Sequence, residues 1–81
     1  MDVPKIKNAY ACDDRNLIVH FFDGKIKKYD ITGLLSKTIF SPLKDPAFFK
    51  NVKVETGGYA VFWNANIDIS EYELWKNGID R

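Results

Sequence analysis

Residues able to do chemistry are few in this chain of 81, and their types and spacing do not assemble a reaction centre. His20 is the single histidine. Its imidazole could act as a general base or a metal ligand, but a triad or a metal cluster needs companions. Cys12, the only cysteine, raises the count of soft ligands to two, short of a zinc site. His20 lies mid-strand between Val19 and Phe21, where a structural histidine is expected. The carboxylates have local uses. Asp23 precedes Gly24 in a turn, and Asp30 and Asp45 precede short helical turns as caps. No groove-forming architecture for paired-carboxylate glycoside chemistry is implied. Gly57-Gly58 lacks the strand–loop–helix setting of a phosphate cradle and reads as a hairpin loop. No catalytic, metal-binding or cofactor-binding residue is assigned, no cofactor is expected, and the chain reads as a non-enzyme.

Residues able to bind are easier to name. Trp63 reads as core, with an interface anchor as its alternative, since tryptophan is enriched at binding hot spots. Asp68, between Ile67 and Ile69, reads as a turn or capping carboxylate bonded to backbone amides near Ser70. Its alternative is an exposed acid that pairs with a partner's arginine. Trp75, beside Leu74, is the third candidate contact for a partner. Lys25, Lys27 and Lys28 make the densest basic patch, with Lys5 and Lys7 on a neighbouring strand, and could meet nucleic-acid phosphates. Yet ten of the twelve basic residues are lysine, leaving only Arg15 and Arg81 to fork onto guanine. Lysines also guard strand edges, so a solvated face is the first reading of this patch.

These residues must be positioned by elements that the sequence marks unevenly. Lys5 to Cys12 reads as a first strand, Asp13-Asp14-Arg15-Asn16 as a polar turn, and Leu17 to Phe22 as a strong strand. Asp23-Gly24 closes a hairpin onto a return strand from Lys25 to about Asp30. Two registers are compatible: a two-residue loop sets Phe21 against Ile26, and a three-residue loop with a glycine bulge sets it against Lys25. Both keep Leu17, Val19 and Phe21 on one face. Asp30 or Thr32 caps a short turn through Leu34 and Leu35, and Phe40-Ser41-Pro42-Leu43 reads as a loop with two apolar anchors. Asp45-Pro46 then opens one helical turn, with proline at the first helical position.

A second hairpin closes at Gly57-Gly58. It sets Val52 against Trp63, Val54 against Val61 and Thr56 against Tyr59, with Lys53 and Glu55 on the opposite face. Ser70-Glu71-Tyr72-Glu73 is a capping box for a C-terminal helix that Gly78 stops. The predicted architecture is a small single α+β domain over 1–81: two antiparallel β-hairpins, short helices and a C-terminal helix.

Composition bounds the rest. A domain this small buries only about 60% of its unfolded surface, so it needs a dense apolar inventory. Six Phe, four Tyr and two Trp provide one, and twelve aromatics exceed what one small core encloses, leaving an apolar patch. The net charge of +1 conceals a split: residues 1–53 carry ten Lys or Arg against six Asp or Glu, and residues 54–81 two against five. The lone cysteine and the absence of an apolar run of signal-peptide or membrane-spanning length predict a cytoplasmic protein.

The order Phe21-x-Asp23-Gly24, Asp30-Ile31-x-x-Leu34-Leu35, Phe40-x-Pro42-Leu43-x-Asp45-x-x-x-Phe49, Val52-x-Val54, Val61-x-Trp63, Ile67-Asp68-Ile69 and Leu74-Trp75 resembles a bacterial family of domains of unknown function, family 2442. Three positions depart from it: Asn64 and Glu71 stand where relatives often carry proline, and Trp75 where tyrosine is commoner. The resemblance implies no activity and no catalytic positions. It implies small proteins, sometimes joined to a helix-turn-helix domain, for which this chain leaves no room. It also implies genes often set beside that of another small protein, in the manner of a toxin–antitoxin pair. The expectation is a protein-interaction module whose partner is a small protein encoded next to it or a second copy. The alternative is a nucleic-acid-binding or DNA-linked regulatory domain using the lysine-rich strand face. No membrane association is expected.

Overall fold

In the computed structural model, which describes residues 3–81, the described residues form seven strands, two short α-helices and two stretches of 3-10 helix. The strands are β1 (Ile6–Ala11), β2 (Asn16–Phe21), β3 (Ile26–Asp30), β4 (Lys53–Val54), β5 (Ala60–Asn64), β6 (Ile67–Ser70) and β7 (Ile79–Asp80). The helices are α1 (Pro46–Phe49) and α2 (Glu71–Asn77). All strand pairing is antiparallel and falls into two sheets, ordered β1-β2-β3-β7 and β4-β5-β6. The architecture is α+β.

Local chemistry sets the turns of the first sheet. Asp13 Oδ1 accepts from the amides of Arg15 (2.8 Å) and Asn16 (2.9 Å), closing β1 onto β2. Between β2 and β3 the three-residue loop prevails. Phe21 lies opposite Lys25, their backbones are bonded at 2.9 Å, and Gly24 sits at φ +95° where a side chain would be strained. Alternation then sends Leu17, Val19 and Phe21 inward together.

The second hairpin keeps the expected register, Val54 opposite Val61 and Lys53 opposite Phe62. Its loop is wider than expected. Glu55 and Ala60 close it, so Thr56 and Tyr59 belong to the loop instead of forming a last pair. The cause is tertiary: the carbonyl of Gly58 turns to accept from the amide of Ile6 at 2.9 Å, joining the two sheets. Gly58 sits at φ +76°, and a Cβ there would lie 2.5 Å from the Ile6 carbonyl.

Three other segments differ from expectation. Phe40 to Leu43 is not an irregular loop but part of a 3-10 stretch, Thr38–Lys44, in which the proline ring presets φ and Leu43 is buried. Ile67 to Ser70 is a strand, so Asp68 is no turn or capping residue. Asn64 makes that turn, its Oδ1 accepting from the amides of Asn66 (2.8 Å) and Ile67 (3.0 Å). β7 has no precedent in the sequence pattern, because two residues carry no period.

α1 begins as expected, with Asp45 accepting from the amide of Ala47 at 3.0 Å. α2 is capped by Ser70 Oγ, which accepts from the Glu73 amide at 3.1 Å. The reciprocal half of the box is absent, because the Glu73 carboxylate instead accepts from Tyr29 (2.8 Å) and Asn77 (2.9 Å). Gly78 ends the helix without a left-handed turn. Its role is spatial, since a Cβ would strike the Leu74 carbonyl and approach Lys27 Cβ at 3.1 Å.

One core fills the space between the sheets and α2. Leu17, Val19 and Phe21 meet Val61, Trp63 and Leu74 there, with Val54 half-buried at its margin. No helix among the described residues is long and apolar enough to cross a membrane.

Candidate functional site

The four strands of the first sheet place their inward residues against the core and leave the other face uncovered by any partner in that core. Register identifies the outer residues. Tyr10, Ile18, Lys28 and Ile79 form one cross-strand row, and Asn8, His20 and Ile26 the next. An antiparallel sheet with one face on a core usually turns a polar face to water. Here the rows hold tyrosine, histidine and three isoleucines.

Ile18 is only 1% exposed although it lies outside the core cluster, so its outer-face neighbours must cover it. Tyr10 and Ile79 are 48% and 73% exposed, and His20 and Ile26 are half-buried. The rings of Tyr10 and His20 lie 6.0 Å apart. Asn8, Asn16, Lys28 and Asp30 supply a polar surround. This stripe can bind by burial of apolar surface, and the reach of His20 and Tyr10 adds polar handles for orientation.

The residues singled out from sequence are scattered. Trp63 is in the core, 6% exposed, its ring stacked on Phe49 at 6.0 Å and its Nε1 donating to the Phe49 carbonyl at 2.8 Å. It is therefore not presented to a partner, because a buried indole with a satisfied N–H has neither surface nor donor to offer. Trp75 is half-buried, edge-on to Phe21 at 5.1 Å, with Lys27 Nζ 4.7 Å above its ring. Asp68 is exposed on β6, opposite Phe62 and remote in register from the first sheet.

The lysines do not form one face. Lys27 lies opposite Val19 and Lys28 opposite Ile18, so they point to opposite sides of the sheet. Lys27 and Lys25 converge on Asp80 at 3.0 and 3.5 Å, and the Lys27 ammonium above all holds that carboxyl below its usual range. Lys5 is also occupied, 3.3 Å from Glu71 and 4.1 Å above the Tyr59 ring. β2 separates β1 from β3, so Lys5 and Lys7 do not extend the patch.

The remaining acids are local. Asp23 accepts from the Lys25 amide at 2.9 Å, and Asp30 binds the Thr32 hydroxyl and amide, the hydroxyl being the main cause of its lowered pKa. Among the described residues no group of three His, Cys, Asp or Glu side chains could hold a metal ion. Sequence reasoning missed Tyr10, Ile18, Ile26 and Ile79. The available signal was the unbroken apolar run Leu17-Ile18-Val19, which marks a strand covered on both faces.

A comparison with family models matches residues 6–80 to the family described as protein of unknown function (DUF2442). No curated protein and no solved structure matches the chain.

Proposed function

Because the chain belongs to the DUF2442 family, whose description carries no function, we propose from its own surface that it is a non-enzymatic interaction module whose outer sheet face docks a small protein partner. One observation carries the reading: an uncovered antiparallel face that presents Tyr10, Ile26 and Ile79 over a buried Ile18 where polar residues would ordinarily stand. The partner is a small protein encoded beside it, in a toxin–antitoxin-like pair of the bacterial cytoplasm, where the exposed lone thiol of Cys12 stays reduced. The lysine strand supports a nucleic-acid reading less well, since Lys25 and Lys27 are engaged by Asp80 and Lys28 points the other way.

Titration calorimetry with the purified neighbouring gene product tests the proposal. The double variant Tyr10→Ser, Ile79→Ser should weaken binding by at least about tenfold, as loss of an aromatic and an apolar anchor does, while its amide spectrum remains that of the folded domain. Equal binding by variant and wild type would sink it. So would salt-sensitive retention on DNA or RNA that disappears when Lys25, Lys27 and Lys28 become Gln.

A further inference from the structure

The second sheet ends in an edge strand that carries a charge with no partner among the described residues. Among the described residues β6 has β5 on one side and no strand on the other. Asp68 projects from it between buried Ile67 and Ile69, and makes no ion pair or hydrogen bond among the described residues. Beside this edge lies an open groove of about 270 Å³, lined by Asp68, Ile69 and Ser70 of β6, Glu73 of α2, and Leu34, Lys37 and Phe40. Leu34 and Phe40 are half-buried extensions of the core, so the groove has apolar ground. Its lining carries two acids, Asp68 and Glu73, and one base, Lys37. Glu73 is already engaged by Tyr29 and Asn77, which leaves Asp68 as the uncommitted carboxylate.

We infer that this groove receives an extended peptide segment of a partner protein, with an apolar side chain toward Leu34 and Phe40 and an arginine or lysine toward Asp68. An edge strand offers backbone donors and acceptors that an added strand satisfies, and alternate side chains of the added strand then enter the groove. The charge supplies selection. A carboxylate on a strand edge repels acidic or purely apolar strands, because approach strips its water without return. A basic side chain returns that loss, so the same residue excludes most strands and admits one kind. The site lies on the second sheet and stands or falls separately from the outer face of the first.

The test uses two blocked hexapeptides of alternating valine and threonine, identical except for a central arginine or glutamate, titrated into the labelled whole chain and followed by amide resonances. The arginine peptide should shift Asp68, Ile69 and Lys37 and bind at least about tenfold more tightly than the glutamate peptide. In Asp68→Asn that ratio should fall to near one while the melting temperature holds. Equal affinity of the two peptides for the wild type would overturn the inference, as would no shift at millimolar peptide. Self-association of Asp68→Asn in the ultracentrifuge, with neither peptide binding the wild type, would also overturn it by making the carboxylate only an edge guard.

Discussion

Tyr29 reaches from β3 to α2, and its hydroxyl donates to the Glu73 carboxylate at 2.8 Å. Burial first, and then the bond and charge of Glu73, push its pKa up. The sign follows: the unfolded chain ionises near the ordinary phenol value of about 10, while the folded chain keeps the proton to higher pH. Stability is whole below that value and lost as pH rises above it. Melting temperature should therefore fall from about pH 10 upward, and Tyr29→Phe should flatten that fall while costing about 1 kcal/mol at neutral pH. Identical alkaline slopes in thermal melts would refute it. The acid limb has the opposite sign. Asp13, lowered chiefly by the Arg15 amide, and Asp30, lowered chiefly by the Thr32 hydroxyl, support the fold above the ordinary carboxylate range and cease to as pH falls through their folded values. Reading single residues from sequence succeeded where the partner is a near neighbour, as for Asp13, Asp45 and Ser70. It failed between Asn64 and Asp68, because both side chains suit a turn and only the pairing of β5 with β6 decides which one makes it.

At the scale of elements, the half-formed capping box leaves Ser70, among the described residues, as the side-chain cap of α2. Ser70→Ala should cost about 1 kcal/mol, read from chemical denaturation, and coincident curves would show the cap to be idle. Gly58→Ala should cost more, on the order of 2–4 kcal/mol, since it combines a left-handed backbone with a clash against Ile6. Gly24→Ala, at positive φ but in open space, should cost less than Gly58→Ala; the reverse order would contradict this account of the loop. Elements were legible where alternation and turn chemistry agreed, as in the hairpin of Val54 and Val61. β6 and β7, of four and two residues, were not, because runs that short take their conformation from the sheet they join.

For the whole molecule, the two sheets share one core through Val61, which is fully buried opposite Val54 and Ile69. Val61→Ala should cost on the order of 1–3 kcal/mol; a change within error would mean the site relaxes without a cavity. The interaction face was legible only in part, through the run Leu17-Ile18-Val19, for a reason that belongs to this scale. Alternation assigns Leu17, Val19 and Phe21 to the core side of β2, as found, but Tyr10, Ile26 and Ile79 join Ile18 only through strand pairing that the sequence does not mark. The bond from Ile6 to Gly58 has a consequence in time. It joins segments about fifty residues apart, and the entropy of closing so long a loop is lost before the contact returns anything. The expectation is that local hairpins form first and that this join follows the rate-limiting barrier; stopped-flow refolding of Gly58→Ala tests it, and refolding slowed as much as unfolding is accelerated would place the join in the transition state. A contact made that late acts on the escape from the native state and not on the approach to it. Gly58→Ala should then refold at nearly the wild-type rate but unfold sooner, which makes this one carbonyl a setting for the lifetime of the folded domain.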